Sequence, residues 1–507
     1  MSPATERFGL SVAVVIGVLV RVFPVVAAGT VVGDGGFIHA LVDDVRAAGL
    51  GLPTTSSYND LGIPFVYPPA ALWVTAFVGD IFGVPTLDLL RWLPVIFSSL
   101  TVIAFAWLAS RLLGGVPAMG ATFAYALMPS AYGWLVAGGG LTRGLGLLFA
   151  LLAAGFAARR PADDSRWMAA VPGVLLGLSA LTHPQTAVFG VVACLTLSFR
   201  RPLGPWLTRL AIAAAAAVVV VIPWLVWVAG TSGLEVLVGA AGRFEPGIGI
   251  VRMLNLEFSA APFMDVVGVV GVVGLIVALA RRQWRLPIFL LITYLTGSGG
   301  GEFLAAVPWA LLAGVGVGAL CDLILGALHD AGPVAARRGA MAIGAAALFL
   351  ALVGSVGSTS DRSSKLHALG ADRIGAMAWM AANLPADARV IVPTDEVWGF
   401  DDIGEWLPAL AQRQAIGTVQ GSEWLGADGF DAQLSTHGAI RGCAGATASC
   451  YAEIDPDAAV FVPKGQLNGI FSPDDCCPAL RETLTDAGYD VVFDDEGATI
   501  AVPAAGG

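Results

Sequence analysis

Apolar residues run through the first 357 positions in stretches of about twenty, the length a helix needs to cross a bilayer's hydrocarbon core. The stretches lie near residues 10–32, 88–110, 116–137, 141–158, 168–182, 184–199, 207–230, 262–280, 286–300, 302–326 and 338–357. Eleven crossings are therefore predicted. The segment "YPPAALWVTAFVGDIFG", 67–83, is also apolar, but counting it would invert the loop that carries Arg111, so it is expected to be re-entrant or interfacial. The first run is too long for a signal-peptide core, and no small-residue cleavage site follows it cleanly. A retained helix is expected there.

Beyond residue 358 the pattern shortens to alternating helix and strand. A helix is predicted through "ADRIGAMAWMAANLP", strands at "ARVIVP", near "AIGTVQ" and at "AAVFVP", a helix at "CCPALRETLTDAG", and strands at "YDVVF" and "ATIAVP". The expected fold is a polytopic α-helical membrane bundle over 1–357, followed by a small extracytoplasmic α/β domain over 358–507.

Composition excludes an ordinary soluble protein: 56% of residues are hydrophobic, 64 are glycine, and the mean hydropathy is +0.77. Charge then orients the chain. Every lysine lies beyond residue 360, and Arg7, Arg111, Arg159, Arg160, Arg166, Arg200, Arg201, Arg209, Arg281, Arg282, Arg285, Arg337 and Arg338 fall on one side of the eleven crossings. Arg46, Arg91, Arg143, Arg243 and Arg252 fall on the other. The positive-inside rule makes the richer side cytoplasmic, so the N-terminus is expected inside and the C-terminus outside a cell membrane.

The last 150 residues hold 22 of the 38 acids and eight of the 27 basic residues. Nucleic acid and anionic headgroups are poor partners for so acidic a domain. Cys443, Cys450, Cys476 and Cys477 lie in it, as an oxidising compartment permits; each of the adjacent pair is expected to bridge to Cys443 or Cys450, with one bridge and two free thiols as the alternative. No phosphate loop, dinucleotide fingerprint, zinc spacing or internal repeat is visible. No motif calls for a cofactor, and a divalent metal is left open.

The stretch "TVVGDGGFIHALVDDVRAAG", 30–49, sets three aspartates beside the first crossing. Asp34 sits among Gly33, Gly35 and Gly36, where small residues let the backbone turn and another molecule approach. Its plain reading is a helix N-cap. A short amphipathic helix along the membrane surface is predicted over 37–48, with Asp43 and Asp44 on its solvated face.

"GDGGFIHALVDDVR", "YNDLGIPFVYPPAALWVTAFVGDIFG" and "LLRWLPVIFSSLTVIAFAWLASRLLG", in that order, resemble the opening of GT-C-fold glycosyltransferases, the group of dolichyl-phosphate-mannose protein mannosyltransferases and aminoarabinose transferases. The motifs span Gly33 to Arg143. The resemblance implies a catalytic acid early in the first external loop, here Asp34, a polyprenyl-phosphate sugar donor, and an outer C-terminal domain. "WGFDDIGEWLPALAQRQAIGTVQGSEWL" is similar to the outer domains of uncharacterised bacterial members. Three positions depart from relatives. Gly35 replaces a second acid, Tyr67 stands before Pro68 and Pro69 where aminoarabinose transferases carry lysine, and Glu302 in "GSGGGEFLAAVP" stands where an arginine often meets the lipid phosphate.

Transfer of a sugar from a polyprenyl phosphate to a hydroxyl needs a base, positive charge at the leaving phosphate and exclusion of water. Asp34 can supply the base. Arg143, in "GGGLTRGLG", combines its guanidinium with a helix N-terminus, or merely marks the interface as a snorkelling side chain. Arg91 sits at another outer helix end. His183, in "LTHPQTAVF", falls at an outer hairpin tip, as a phosphate or metal ligand or as a turn residue. Glu302 is costly near the membrane, which favours function. Glu405, Trp406 and Trp424 are candidates to meet an acceptor sugar, with a core role as the alternative. The acceptor is a cell-envelope glycan, a lipid or a protein. The rival class is a transporter or flippase, disfavoured because the ionisable residues gather at the outer face and no inverted repeat is apparent.

Overall fold

The computed structural model describes residues 2–159, 166–241, 266–297, 301–327, 333–360, 367–465 and 477–504. Arg160, Arg243, Arg252, Cys476 and the ends of two predicted crossings, 262–265 and 298–300, lie outside them. The first helices are α1 (Pro3–Ala28), α2 (Gly36–Ala47), α3 (Ala70–Phe82), α4 (Thr86–Leu112), α5 (Gly115–Leu127), α6 (Gly133–Val136), α7 (Gly140–Ala157), α8 (Ala170–Ala180), α9 (Pro184–Ser198) and α10 (Leu203–Thr231). Helices Val266–Ala280, Arg285–Thr296, Glu302–Ala327 and Pro333–Ser360 complete the bundle. Each apolar run thus contains helix. Among the described residues α1, α4, α7, α10 and Glu302–Ala327 are long and apolar enough to cross a membrane.

The run 116–137 is not the single helix that its hydropathy suggests. Helix α5 stops at Leu127, Met128 is extended, and residues 129–131 form a 3-10 turn before α6. Pro129 explains the break, because proline lacks an N–H and pushes its predecessor out of the helical region. The carbonyls set free are taken by Arg21, a buried arginine of α1 that the sequence reading left unassigned. Its Nη1 donates to Ala126 O at 3.0 Å and Gly17 O at 3.0 Å, its Nη2 to Tyr125 O at 3.4 Å and its Nε to Ser98 Oγ at 3.1 Å. Burial of this cation is tolerated because its donors have acceptors and two tyrosine rings face it, Tyr125 at 5.6 Å and Tyr132 at 5.3 Å.

Helix α3 is about 20 Å long at 1.5 Å per residue, short of the ~30 Å core. At its start Ala70 N donates to Leu181 O at 2.8 Å, in the α8–α9 turn. At its far end Arg46 of α2 meets Asp80 at 2.9 Å and donates to Val84 O at 3.3 Å.

The C-terminal domain is a five-stranded sheet with strand order β2-β1-β3-β5-β4, where β1 is Arg389–Ile391, β2 Gln414–Ala415, β3 Ala459–Pro463, β4 Tyr489–Asp494 and β5 Ala498–Pro503. Strands β2, β1 and β3 are parallel, and β5 runs antiparallel to both β3 and β4. Strand β3 is buried along its whole length, as a central strand covered on both faces must be. The fold differs from expectation at three helices the pattern did not predict, Asp402–Ala411, Gly426–Gly442 and Ala448–Ile454, while the helix in "CCPALRETLTDAG" shrinks to Pro478–Glu482. The cysteine pairing also differs: Cys443 bridges Cys450 and Cys477 is itself disulfide-bonded, so Cys476 and Cys477 do not bridge to Cys443 or Cys450. The 443–450 bridge closes a turn between two of the unpredicted helices.

This domain docks on the α1–α2 loop. Val32 bridges Ala368, Gly33 N donates to His367 O at 2.7 Å, and Leu369 N donates to Val31 O at 3.3 Å. Helix α2 is consequently not a helix lying open on the membrane surface. Residues Phe37 to Val42 and Val45 are buried, and α2 packs between α3 and the C-terminal domain's helix Asp402–Ala411. Gly36 marks the closest approach: a Cβ there would stand 2.2 Å from Glu405 O, so only glycine lets the two helices touch. Its neighbours Asp43 and Asp44 are more than a solvated face. Asp43 accepts from the Thr86 hydroxyl and lies 3.4 Å from His39, while Asp44 accepts from Ser56 Oγ at 2.8 Å and Ser57 N at 3.0 Å.

Candidate active site

Two glycine-rich stretches interlock at the end of the bundle that meets the C-terminal domain. Gly139 N donates to Asp34 O at 2.8 Å and Gly138 N to Val32 O at 3.0 Å. A Cβ on Gly138 would meet Asp34 O at 2.6 Å, and one on Gly139 would meet the Asp34 carboxylate at 2.8 Å. Any side chain at either position would move Asp34.

The Asp34 carboxylate does not cap α2. It is gripped by the two-pronged guanidinium of Arg143, whose Nη2 pairs with Oδ2 and whose Nη1 donates to Oδ1 at 3.3 Å. Arg143, in the first turn of α7, also donates to Trp134 O at 3.2 Å and lies over the Trp134 ring at 4.9 Å. The free amides of α2 are satisfied from the C-terminal domain, by Glu405 Oε1, which accepts from Gly35 N at 3.1 Å and Phe37 N at 3.3 Å. Glu405 thereby does the capping that the plain reading gave to Asp34, and its carboxylate is committed to backbone rather than turned toward a sugar. Trp406 is fully buried and donates through Nε1 to Gly33 O at 2.8 Å, which makes it a core anchor of the same loop. Tyr58 completes the clamp, its hydroxyl donating to Glu405 O at 2.7 Å.

The other candidates divide. Tyr67 joins its hydroxyl to Thr142 Oγ1 at 3.0 Å, one residue before Arg143. Glu302 accepts from Trp134 Nε1 at 2.9 Å, which links it to the arginine through a single indole. His183 occupies the N-cap position of α9 without a side-chain cap bond and lies against Gly146, one helical turn from Arg143. Burial, then the positive charge of Arg143, pushes its pKa down to about 3, so the ring is neutral, and its Nδ1 has no hydrogen-bond partner among the described residues. Trp424 packs edge-on to Tyr67 at 6.2 Å, with its indole N–H buried and likewise without a partner among the described residues. Arg91 is placed elsewhere: it donates to Val25 O at 3.3 Å and lies over Trp92 at 5.0 Å, tying α4 to the end of α1. Among the described residues no three His, Cys, Asp or Glu side chains are grouped to hold a metal ion. Trp134, Tyr58 and Thr142 were missed, and a motif reading had little to find them by, since each acts through a partner distant in sequence or through an ordinary helix position.

Carboxyl groups crowd the seam between the domains. Burial, with the nearby Asp34 carboxylate, raises Glu405 to about 8, and the same causes raise Asp402 well above the carboxylate range. A carboxyl raised on folding binds its proton more tightly in the folded state, so stability is greatest below the unfolded pKa and is lost as pH rises through the folded one. Between about pH 4.5 and 8 the thermal midpoint is expected to fall, and Glu405→Gln should flatten that slope while keeping an oxygen for the two amides. Unfolding scans from pH 5 to 9 on both proteins test this; equal slopes would deny Glu405 the role.

The architecture, a membrane bundle with its candidate site at one end under an α/β domain, defines a class. A profile of dolichyl-phosphate-mannose-protein mannosyltransferases matches residues 66–227. No curated protein sequence matches the chain. Solved structures share the fold. ArnT from Cupriavidus metallidurans bound to undecaprenyl phosphate is 15% identical with TM-score 0.56, over 100% of this chain and 99% of that one. The oligosaccharyltransferase AglB from Archaeoglobus fulgidus, in complex with an inhibitory peptide and a dolichol-phosphate, is 14% identical with TM-score 0.54, over 90% of this chain and 69% of that one. The arabinofuranosyltransferase AftD from mycobacteria is 15% identical with TM-score 0.54, and this chain covers 42% of its length.

Proposed function

We propose that the protein is a membrane glycosyltransferase that moves a hexose or pentose from a polyprenyl phosphate to a hydroxyl of an envelope glycan, lipid or protein. The observation that carries this reading is the Asp34–Arg143 pair, a base and a phosphate ligand held together at the outer end of α7 where the two glycine stretches meet. Structures of the same fold hold undecaprenyl phosphate and dolichol-phosphate, which supports the choice of donor.

In the resting protein the two groups satisfy each other. The donor's phosphodiester, with one negative charge shared by two free oxygens, competes for the arginine fork. Asp34 is then released toward the acceptor. The acceptor oxygen forms its bond to the anomeric carbon as the carbon–oxygen bond to phosphate breaks, the polyprenyl phosphate leaves with that electron pair, and Asp34 takes the acceptor proton. Arg143 and the first amides of α7 offset the charge developing on the leaving group. Tyr67, Trp134, His183, Glu302 and Trp424 line or support this region. A transport reading has less support: Arg21 is held by Ser98 and carbonyls with no carboxylate partner among the described residues, so no relay of acids and bases runs inward from it.

Membranes carrying the protein, incubated with a panel of radiolabelled polyprenyl-phosphate sugars, should move one label into a lipid, glycan or protein fraction. No transfer from any sugar in the panel, with the protein folded, would overturn the reading. The orientation is part of the proposal. An alkaline phosphatase fused after residue 360 should be active, in keeping with the 443–450 disulfide, and an inactive fusion would place the site on the wrong face.

A further inference from the structure

A cavity of about 700 Å³ lies between α7, α8, α9 and α10, away from the Asp34 site. Its walls are apolar along most of their height, with Leu176, Val191, Ala217 and Ile222 among them. Val191, Val218 and Ile222 are 44%, 53% and 47% exposed, so the cavity opens sideways into the space that lipid fills. One end is different. Arg159, Arg200, Arg201 and Arg209 all line it, and among the described residues that line it none is acidic. Counting sequence alone, positions 159–209 carry six arginines and two aspartates, an excess of four positive charges. Arg200 Nη2 donates to Ala158 O at 2.9 Å, which fixes one guanidinium at the mouth against the last turn of α7. Trp206 lines the same mouth and donates to Ser198 Oγ at 3.1 Å, and an anchored indole beside arginines marks the depth of the headgroups.

Sixteen residues separate Arg143 from Arg159 along α7, about 24 Å at the helical rise, close to one membrane thickness. The arginine mouth therefore belongs to the leaflet opposite the Asp34–Arg143 pair. We propose that this cavity is a binding site for an anionic glycerophospholipid of that leaflet, with its phosphate at Arg159, Arg200, Arg201 and Arg209 and an acyl chain between α9 and α10. Charge decides the occupant. A zwitterionic lipid would fill the apolar walls equally well but would gain little from four arginines, whereas an anionic headgroup is attracted by each basic side chain at the surface.

The test uses the full chain in detergent with brominated phosphatidylglycerol or brominated phosphatidylcholine, reading the fluorescence quenching that Trp206→Phe abolishes. Phosphatidylglycerol should quench at about tenfold lower concentration than phosphatidylcholine. The triple variant Arg200→Gln, Arg201→Gln, Arg209→Gln should lose that preference. Val218→Trp, which fills the cavity and leaves the arginines, should lose Trp206-dependent quenching by both lipids and serves if the triple variant does not fold. Equal quenching by the two lipids, an unchanged preference in the triple variant, or displacement of phosphatidylglycerol by an equal concentration of polyprenyl phosphate would overturn the proposal. None of these residues touches the Asp34 site, so transferase activity in short-chain donor assays and lipid binding here fail or hold separately.

Discussion

Replacing Asp34 by Asn is expected to cut sugar transfer by about 100-fold or more, the worth of a positioned base, while the donor remains bound. Asn keeps the shape of the side chain and loses the proton acceptor. It also frees Arg143 from its carboxylate, so donor affinity should hold or improve. The opposite pattern, turnover kept and affinity lost, would make the pair purely structural. Since Glu405 already caps α2, the loss cannot be blamed on an unravelled helix start. Asp44→Asn is the control. It disturbs contacts to Ser56 and Ser57, on the order of 1 kcal/mol of stability, and should leave transfer close to normal.

Arg143→Gln is expected to weaken donor binding by about 1 to 3 kcal/mol, the range of a hydrogen bond to a charged group. It should also destabilise the fold by about 3 kcal/mol or more, because Asp34 is left nearly buried and uncompensated. The two effects can be separated. In Arg143→Gln with Asp34→Asn the lone charge is gone, so stability should recover and donor binding should not. Arg143→Lys keeps the charge but loses the fork, and should bind the donor with an intermediate affinity. Unchanged donor affinity in Arg143→Gln would return the residue to an interfacial role.

The bundle was legible because a helix in a membrane writes its length into hydropathy, and each of the eleven runs contains one. What hydropathy could not convey was a break of a few residues, although Pro129 was its local signal, or the burial of Arg21, whose acceptors exist only once that break has formed. The site was legible in part for the same reason. Asp34 and Arg143 could be singled out separately from glycines and helix ends, but they meet across 109 positions, and no periodicity joins them. Glu405 lies 370 positions from the amide it caps, and Trp406 373 from the carbonyl it holds. Such contacts are set by how two domains dock. The pattern of either domain alone cannot show that α2 is sandwiched, that a glutamate serves as its cap, or that Cys443 finds Cys450 in a helical turn the strand pattern had hidden.

The most direct test is a structure of the protein with a polyprenyl-phosphate sugar bound. The phosphate is expected within hydrogen-bond distance of Arg143, with the guanidinium turned from Asp34 and the carboxylate facing the anomeric carbon from the acceptor side. A donor phosphate bound elsewhere, with the Asp34–Arg143 pair still closed, would contradict the assignment of both residues.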